Sequence, residues 1–188
     1  MIEIISIDEY GYDNALSGLR LNYSLDDDYD IYKTSKKLAK LDDGHNKFLE
    51  SICVWMLIRA SRDFWVEFDT YRVGVTKQSE STMHTITTRP LVSMDFDAHV
   101  NYATILNLNQ QINIYQQTRD KSEKAKLFKR IKKNLPEGFI QKRMICTNYK
   151  SLRNIIKQRL NHRLSEWKRF CEGMKNLKYF EYLEDLYD

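Results

Sequence analysis

Proline and glycine are scarce in this chain, with two and six among 188 residues. Few positions therefore force a turn, and most of the chain is free to form regular secondary structure. Cysteine is scarce too. Cys53, Cys146 and Cys171 are odd in number, far apart and free of any CxxC spacing. That pattern excludes a disulfide framework and a zinc knuckle, and it reads as three reduced thiols. The four histidines, His45, His84, His99 and His162, lack metal-ligand spacing, so no metal site is expected. Long hydrophobic runs are also missing. The most apolar stretch, Ile52 to Ala60, ends next to Arg59 and is about half of what a bilayer requires. The opening segment MIEIISIDEY shows no basic region followed by an apolar run, so it reads as a first strand and the expected location is cytoplasmic, without a membrane. No Walker loop, GxGxxG, HExxH or GxSxG occurs.

What is present describes an ordinary folded protein. Apolar residues make up 42% and charged residues 30%, enough to bury a core without staples. The reading is one α+β domain over residues 1–188, a central and mostly antiparallel sheet packed with helices. Residues 2–7 read as a strand, Asp13 to Leu21 as a short helix, and Leu25 to Asp30 as an acidic loop before a helix through Lys40. Ile52 to Ala60 is apolar on both alternating faces, which predicts a strand covered on both sides. Helices are expected over 61–71, 101–119, 122–135, 148–159 and 164–174, and a strand over 141–146. Val73 to His84 is a polar Ser/Thr-rich segment with Gly74 suited to a turn.

The net charge of +4 is unevenly placed. Lys121 to Lys133 carries seven basic residues and one acid, which suits nucleic acid, a phosphorylated small molecule or a merely solvated helix face. Only Phe128 interrupts that run as an aromatic, so base stacking is poorly served and a nucleic-acid partner is not expected.

The second half carries a more specific pattern. Leu135-Pro136 is followed by Asn148, Ser151-Leu152, Asn154 and Arg159. These intervals resemble, without a gap, the C-terminal signature of the flavin-dependent thymidylate synthases. The resemblance implies that Asn148 and Asn154 contact flavin, that Arg159 contacts the pyrimidine of dUMP, and that Lys132 also reaches the nucleotide. A looser match in the first half assigns His45 and Arg72 to the flavin and Glu80, Thr82 and His84 to the nucleotide. The residues beginning at Asn148 would open a helix, where free N–H groups and the dipole favour anions; a plain N-cap is the simpler alternative.

One departure stands out. The family's Arg-His-Arg triplet is absent, and Arg72 is its one remaining arginine; Tyr or Val does not replace a guanidinium. The resemblance implies FAD, methylenetetrahydrofolate and NADPH if the reaction is kept, and a homotetramer with sites between subunits. Two readings therefore stand: an enzyme methylating dUMP, or an inactive or repurposed nucleotide-binding protein on the same scaffold. Arg159 is expected to point into a cleft and face the Ser79–His84 loop.

Overall fold

A computed structural model describes residues 1–23, 30–42 and 44–188. The expected acidic loop at 25–29 lies outside the described residues. In chain order the elements are β1 (Ile2–Tyr10), α1 (Tyr12–Arg20), α2 (Ile31–Ala39), β2 (Cys53–Ser61), α3 (Arg62–Phe68), β3 (Thr76–Ser79), α4 (Thr82–Thr85), α5 (Tyr102–Gln117), α6 (Lys121–Lys133), β4 (Ile140–Asn148), α7 (Tyr149–Arg159) and α8 (Ser165–Gly173). Short 3-10 turns join several of them, including Lys47–Ser51 before β2 and a series from Met174 to Leu186. The fold is α+β, with a four-stranded sheet in the order β1-β2-β4-β3. Every neighbouring pair is antiparallel.

Strand pleating decides which side chains enter the core. Val54, Met56, Ile58 and Ala60 of β2 are fully buried, with Ile145 of β4 beside them. They pack with Phe64, Trp65 and Phe68 of α3, Leu152, Ile155 and Ile156 of α7, and Trp167 and Phe170 of α8. Each such side chain contributes roughly 1.5–3 kcal/mol by leaving water. The indole of Trp65 is satisfied at the same time, donating to the carbonyls of Ala60 at 3.0 Å and Gln141 at 3.1 Å. A second cluster forms where α5 and α6 pack, around Ile105, Leu108, Ile112, Ile131 and Leu135.

The strand expected from 52 to 60 is present, but its cover is one-sided. Cys53, Trp55 and Leu57 point away from the core, and Trp55 is 39% exposed. Trp55 faces Cys146 and Leu57 faces Met144 across the β2–β4 ladder. The cause is topological: α3, α7 and α8 all pack into the Val54 face of the sheet, and among the described residues no helical layer covers the other face. The polar segment after Gly74 also differs from a plain connector, because it holds both β3 and α4.

Candidate functional site

A cleft of about 730 Å³ opens beside the start of α7, within the size range of small-molecule sites. One wall is the 70–75 loop and the other is α7 itself, with Glu50 at the edge. The loop is held in place at two points. At its start, Asp69 makes a 2.9 Å ion pair with Lys77 of β3 and a 3.0 Å pair with Arg143 of β4. Burial alone would push the Asp69 carboxyl up, but the hydrogen bonds from Lys77 and Arg143 outweigh it and hold the group below its ordinary 3.8. At its middle, Gly74 adopts φ +67°, and a Cβ there would lie 2.3 Å from Ser151 Oγ. The Ser151 hydroxyl donates to the Val73 carbonyl at 3.1 Å. Only glycine lets loop and helix approach so closely.

The sign of the Asp69 shift gives a testable pH dependence. A depressed folded value stabilises the fold above the unfolded value and is lost as pH falls through the folded one. Asp69→Asn should therefore destabilise the protein at pH 7, and the difference from wild type should vanish in acid below the ordinary 3.8. Urea unfolding at neutral and acid pH measures this. An equal deficit at both would remove the charge from the explanation.

Three of the flavin-side residues meet in the cleft: Arg72, Asn148 and Asn154. The Asn148 side chain caps α7 by accepting the Ser151 N–H at 2.9 Å, and Asn154 Oδ1 accepts from Gln158 at 3.0 Å. Arg72 is exposed and has no hydrogen-bond or ion-pair partner among the described residues. His45 lies elsewhere, in a separate hollow of about 500 Å³ beside α1, with Glu50 bordering both. Two residues that the pattern did not single out also line the cleft, Glu50 and Lys150, joined by a 2.6 Å ion pair. Lys150 follows the cap Asn148 by two positions, which was a readable signal for a basic group at a helix start.

The nucleotide-side residues form a different group. Lys132 at the end of α6 donates to Thr82 Oγ1 at 2.5 Å, and Thr82 is 9% exposed. Glu80 extends the β3–β4 ladder: its N–H donates to the Lys142 carbonyl at 2.9 Å, and its carboxylate accepts from the Lys142 N–H at 3.3 Å. His84 is exposed at the end of α4.

Arg159 differs from its expected orientation. Its guanidinium donates to Glu67 at 2.8 Å and to Tyr71 Oη at 2.7 Å, and it stacks 4.6 Å from the Trp167 ring centre. Trp167 and His162 also reach the same Glu67 oxygen, at 2.7 and 3.4 Å. The reason is charge. Glu67 is partly buried and needs a cation, and Arg159 is the guanidinium within reach. Among the described residues no hydrogen bond or ion pair joins Arg159 to Ser79–His84.

Over its whole length the backbone is similar to thymidylate synthase X from Helicobacter pylori, in a structure with FAD and dUMP. The TM-score is 0.76 and the identity 17%, and 99% of each chain is covered. The chain has the fold of the flavin-dependent thymidylate synthases. A second structure of the H. pylori flavin-dependent thymidylate synthase, also complexed with FAD and dUMP, matches at TM-score 0.75 and 16% identity over 98% of each chain. No known family profile matches this sequence, and no curated protein does. On this thymidylate-synthase fold, no helix among the described residues is long and apolar enough to cross a membrane. No group of three His, Cys, Asp or Glu there could hold a metal ion.

A single copy supplies few cations to a flavin in this cleft. A flavin dinucleotide carries a diphosphate, and the cleft offers Arg72 plus a Lys150 already neutralised by Glu50. One guanidinium without a partner among the described residues and two carboxamide N–H groups suit a single small anionic group, since the start of α7 is already capped by Asn148 and the Ile52 carbonyl.

Proposed function

We propose that this chain is a pyrimidine-nucleotide-binding relative of the flavin-dependent thymidylate synthases that works as an assembly of several copies in the cytoplasm. The observation that carries the reading is the end-to-end likeness to an enzyme holding FAD and dUMP, combined with a cleft where Arg72, Asn148 and Asn154 converge. Arg72 is the residue we assign to an anionic group. Asn148 and Asn154 would present carboxamides to the ring or sugar.

Assembly accounts for the separation of the two residue groups. Glu80, Thr82, His84 and Lys132 are tied to the β3–α4 segment and the end of α6, whereas the cleft belongs to α7 and the 70–75 loop. A shared site would draw them from different copies. The uncovered sheet face supports this, since Trp55, Leu57, Met144 and Cys146 leave an apolar surface that a monomer would expose to water. Light scattering should give a multiple of 22.5 kDa at micromolar concentration, and Trp55→Asp with Leu57→Asp should reduce it to the monomer. A monomeric wild type would end the assembly and the shared site together.

Calorimetry tests the ligand. Wild type should bind dUMP and show weak or no FAD binding. Arg72→Ala should weaken dUMP by about tenfold, the loss of one charge-assisted hydrogen bond of roughly 1.5 kcal/mol. A second reading, an active enzyme methylating dUMP, rests on the same fold likeness. Protein purified with stoichiometric FAD, and thymidylate formed from dUMP, methylenetetrahydrofolate and NADPH, would establish that reading over ours. No dUMP binding at all would leave a shared scaffold alone.

A further inference from the structure

The two asparagines of the cleft are not free to turn either end toward a ligand. Asn148 Oδ1 accepts the Ser151 N–H at 2.9 Å, a backbone group that only donates. Its amide nitrogen is left toward the 70–75 loop, 3.0 Å from where a Cβ on Gly74 would stand. Asn154 is fixed less directly, through a chain of hydrogen bonds that starts at the Glu67 carboxylate.

Glu67 holds Arg159 at 2.8 Å, and the Arg159 Nε–H donates to Tyr71 Oη at 2.7 Å. A guanidinium has no acceptor, so the direction of this bond is set. Tyr71 is 8% exposed, and its hydroxyl donates onward to Gln158 Oε1 at 3.2 Å. Turning the Gln158 amide round would leave the Tyr71 proton without an acceptor among the described residues, a costly state for a buried hydroxyl. Gln158 Nε2 therefore faces Asn154 and donates to its Oδ1 at 3.0 Å, about one helical turn away. What remains for a ligand is the Asn154 amide N–H pair. Tyr71, Asn148, Asn154 and Gln158 all line the cleft.

We infer that Tyr71 and Gln158 are positioning residues that lock Asn154 as a hydrogen-bond donor, so that the cleft selects a ligand edge made of acceptors. Resting on the nucleotide reading above, this favours the ring carbonyl that uracil carries where cytosine has an amino group. Asn148, Asn154 and Arg72 then present donors only. A ligand amino group placed among them meets a donor where it needs an acceptor.

Gln158→Glu tests the lock, because a carboxylate only accepts. It takes an N–H from Asn154, whose Oδ1 then turns to the cleft. Calorimetry with dUMP and dCMP, which carry the same phosphate, reads the consequence as a ratio in which the added charge cancels. Wild type should favour dUMP by about tenfold, the scale of one hydrogen bond. Gln158→Glu should reverse that order, and Tyr71→Phe should bring the ratio toward one. Gln158 is exposed, so Gln158→Glu should keep the wild-type melting temperature. A ratio unchanged in Gln158→Glu overturns the inference. The lock also has a readout without ligand, the Asn154 side-chain amide signal in NMR spectra, identified by its loss in Asn154→Asp. Its protons should exchange with water more slowly in Gln158→Glu than in wild type, and an identical signal in both overturns the lock. Failure of wild type to bind either nucleotide ends the nucleotide reading and the choice of uracil with it, while the Asn154 signal still decides the role of Gln158.

Discussion

Arg159→Ala is expected to lower the melting temperature by roughly 5–10 °C, corresponding to about 2–3 kcal/mol in a chain of this length. The substitution removes the cation from Glu67, which among the described residues keeps only the Trp167 N–H and His162 as partners. The pair is largely sheltered, with side-chain exposures of 16% for Arg159 and 31% for Glu67. Breaking such a pair leaves an uncompensated carboxylate in a poorly solvated place, and the cost is set below that of a fully buried pair for this exposure. Stacking on Trp167 and the bond to Tyr71 are lost as well. Arg159→Lys should recover part of the loss, because charge remains while the planar fork and stack do not. From the sequence Arg159 was expected to point into a cleft and face the Ser79–His84 loop, a place where truncation would leave stability nearly unchanged. Thermal unfolding separates the two roles: an unchanged melting temperature in Arg159→Ala, with dUMP affinity reduced, would restore the ligand role and refute the structural one.

Local patterns carried much of the fold. The 3.6-residue spacing of Leu152, Ile155 and Ile156 and the cap at Asn148 located α7 almost to the residue. The alternation in Ile52–Ala60 found β2. The same alternation misled about its second face. Apolar residues on both sides of a strand specify burial on both sides, and periodicity alone does not say whether the second cover comes from the same chain. β3 escaped notice because Thr76–Ser79 is polar: it sits at the sheet edge, held by backbone pairing to β4 rather than by apolar side chains. The turns from Met174 to Leu186 were also missed. Their packing combines buried Met174, Leu177 and Leu183 with tyrosines, such as Tyr179 stacked on Tyr12 at 3.7 Å and Tyr182 bonded to Ser35 at 2.8 Å, and contacts at such irregular intervals leave no period to read.

The candidate site was legible in its parts and not in its arrangement. Interval matching brought Asn148 and Asn154 to one cleft, since they lie six positions apart at the cap and on the body of α7, with Arg72 on the facing 70–75 loop. It gave no warning about Arg159. Sequence spacing fixes where a side chain starts, and the competition between Glu67 and a ligand for its guanidinium is settled by tertiary contacts.

Gly74 ties the stability of the fold to the geometry of the cleft. Gly74→Ala is expected to cost roughly 2–3 kcal/mol, from the left-handed backbone and from the clash of the new methyl group. The first part follows from φ +67°, and the second from a Cβ placed 2.3 Å from Ser151 Oγ and 3.0 Å from Asn148 Nδ2. Relief requires the Ser151 hydroxyl to rotate away or the loop to move off the start of α7; either breaks the Ser151–Val73 hydrogen bond, and the second also carries Arg72 away from Asn148. Where the loop moves, ligand affinity should fall along with stability, by about tenfold if the Arg72 contact is lost outright. Ser151→Ala makes room for the methyl group at the expense of one hydrogen bond, about 1 kcal/mol. The double variant should consequently be less destabilised than the sum of the two single variants, leaving mainly the backbone term. Urea unfolding of the four proteins completes the cycle, and dUMP titration of the same set reports the cleft. Strict additivity would show that the close approach of loop and helix contributes nothing, and that Gly74 is present for its backbone angle alone.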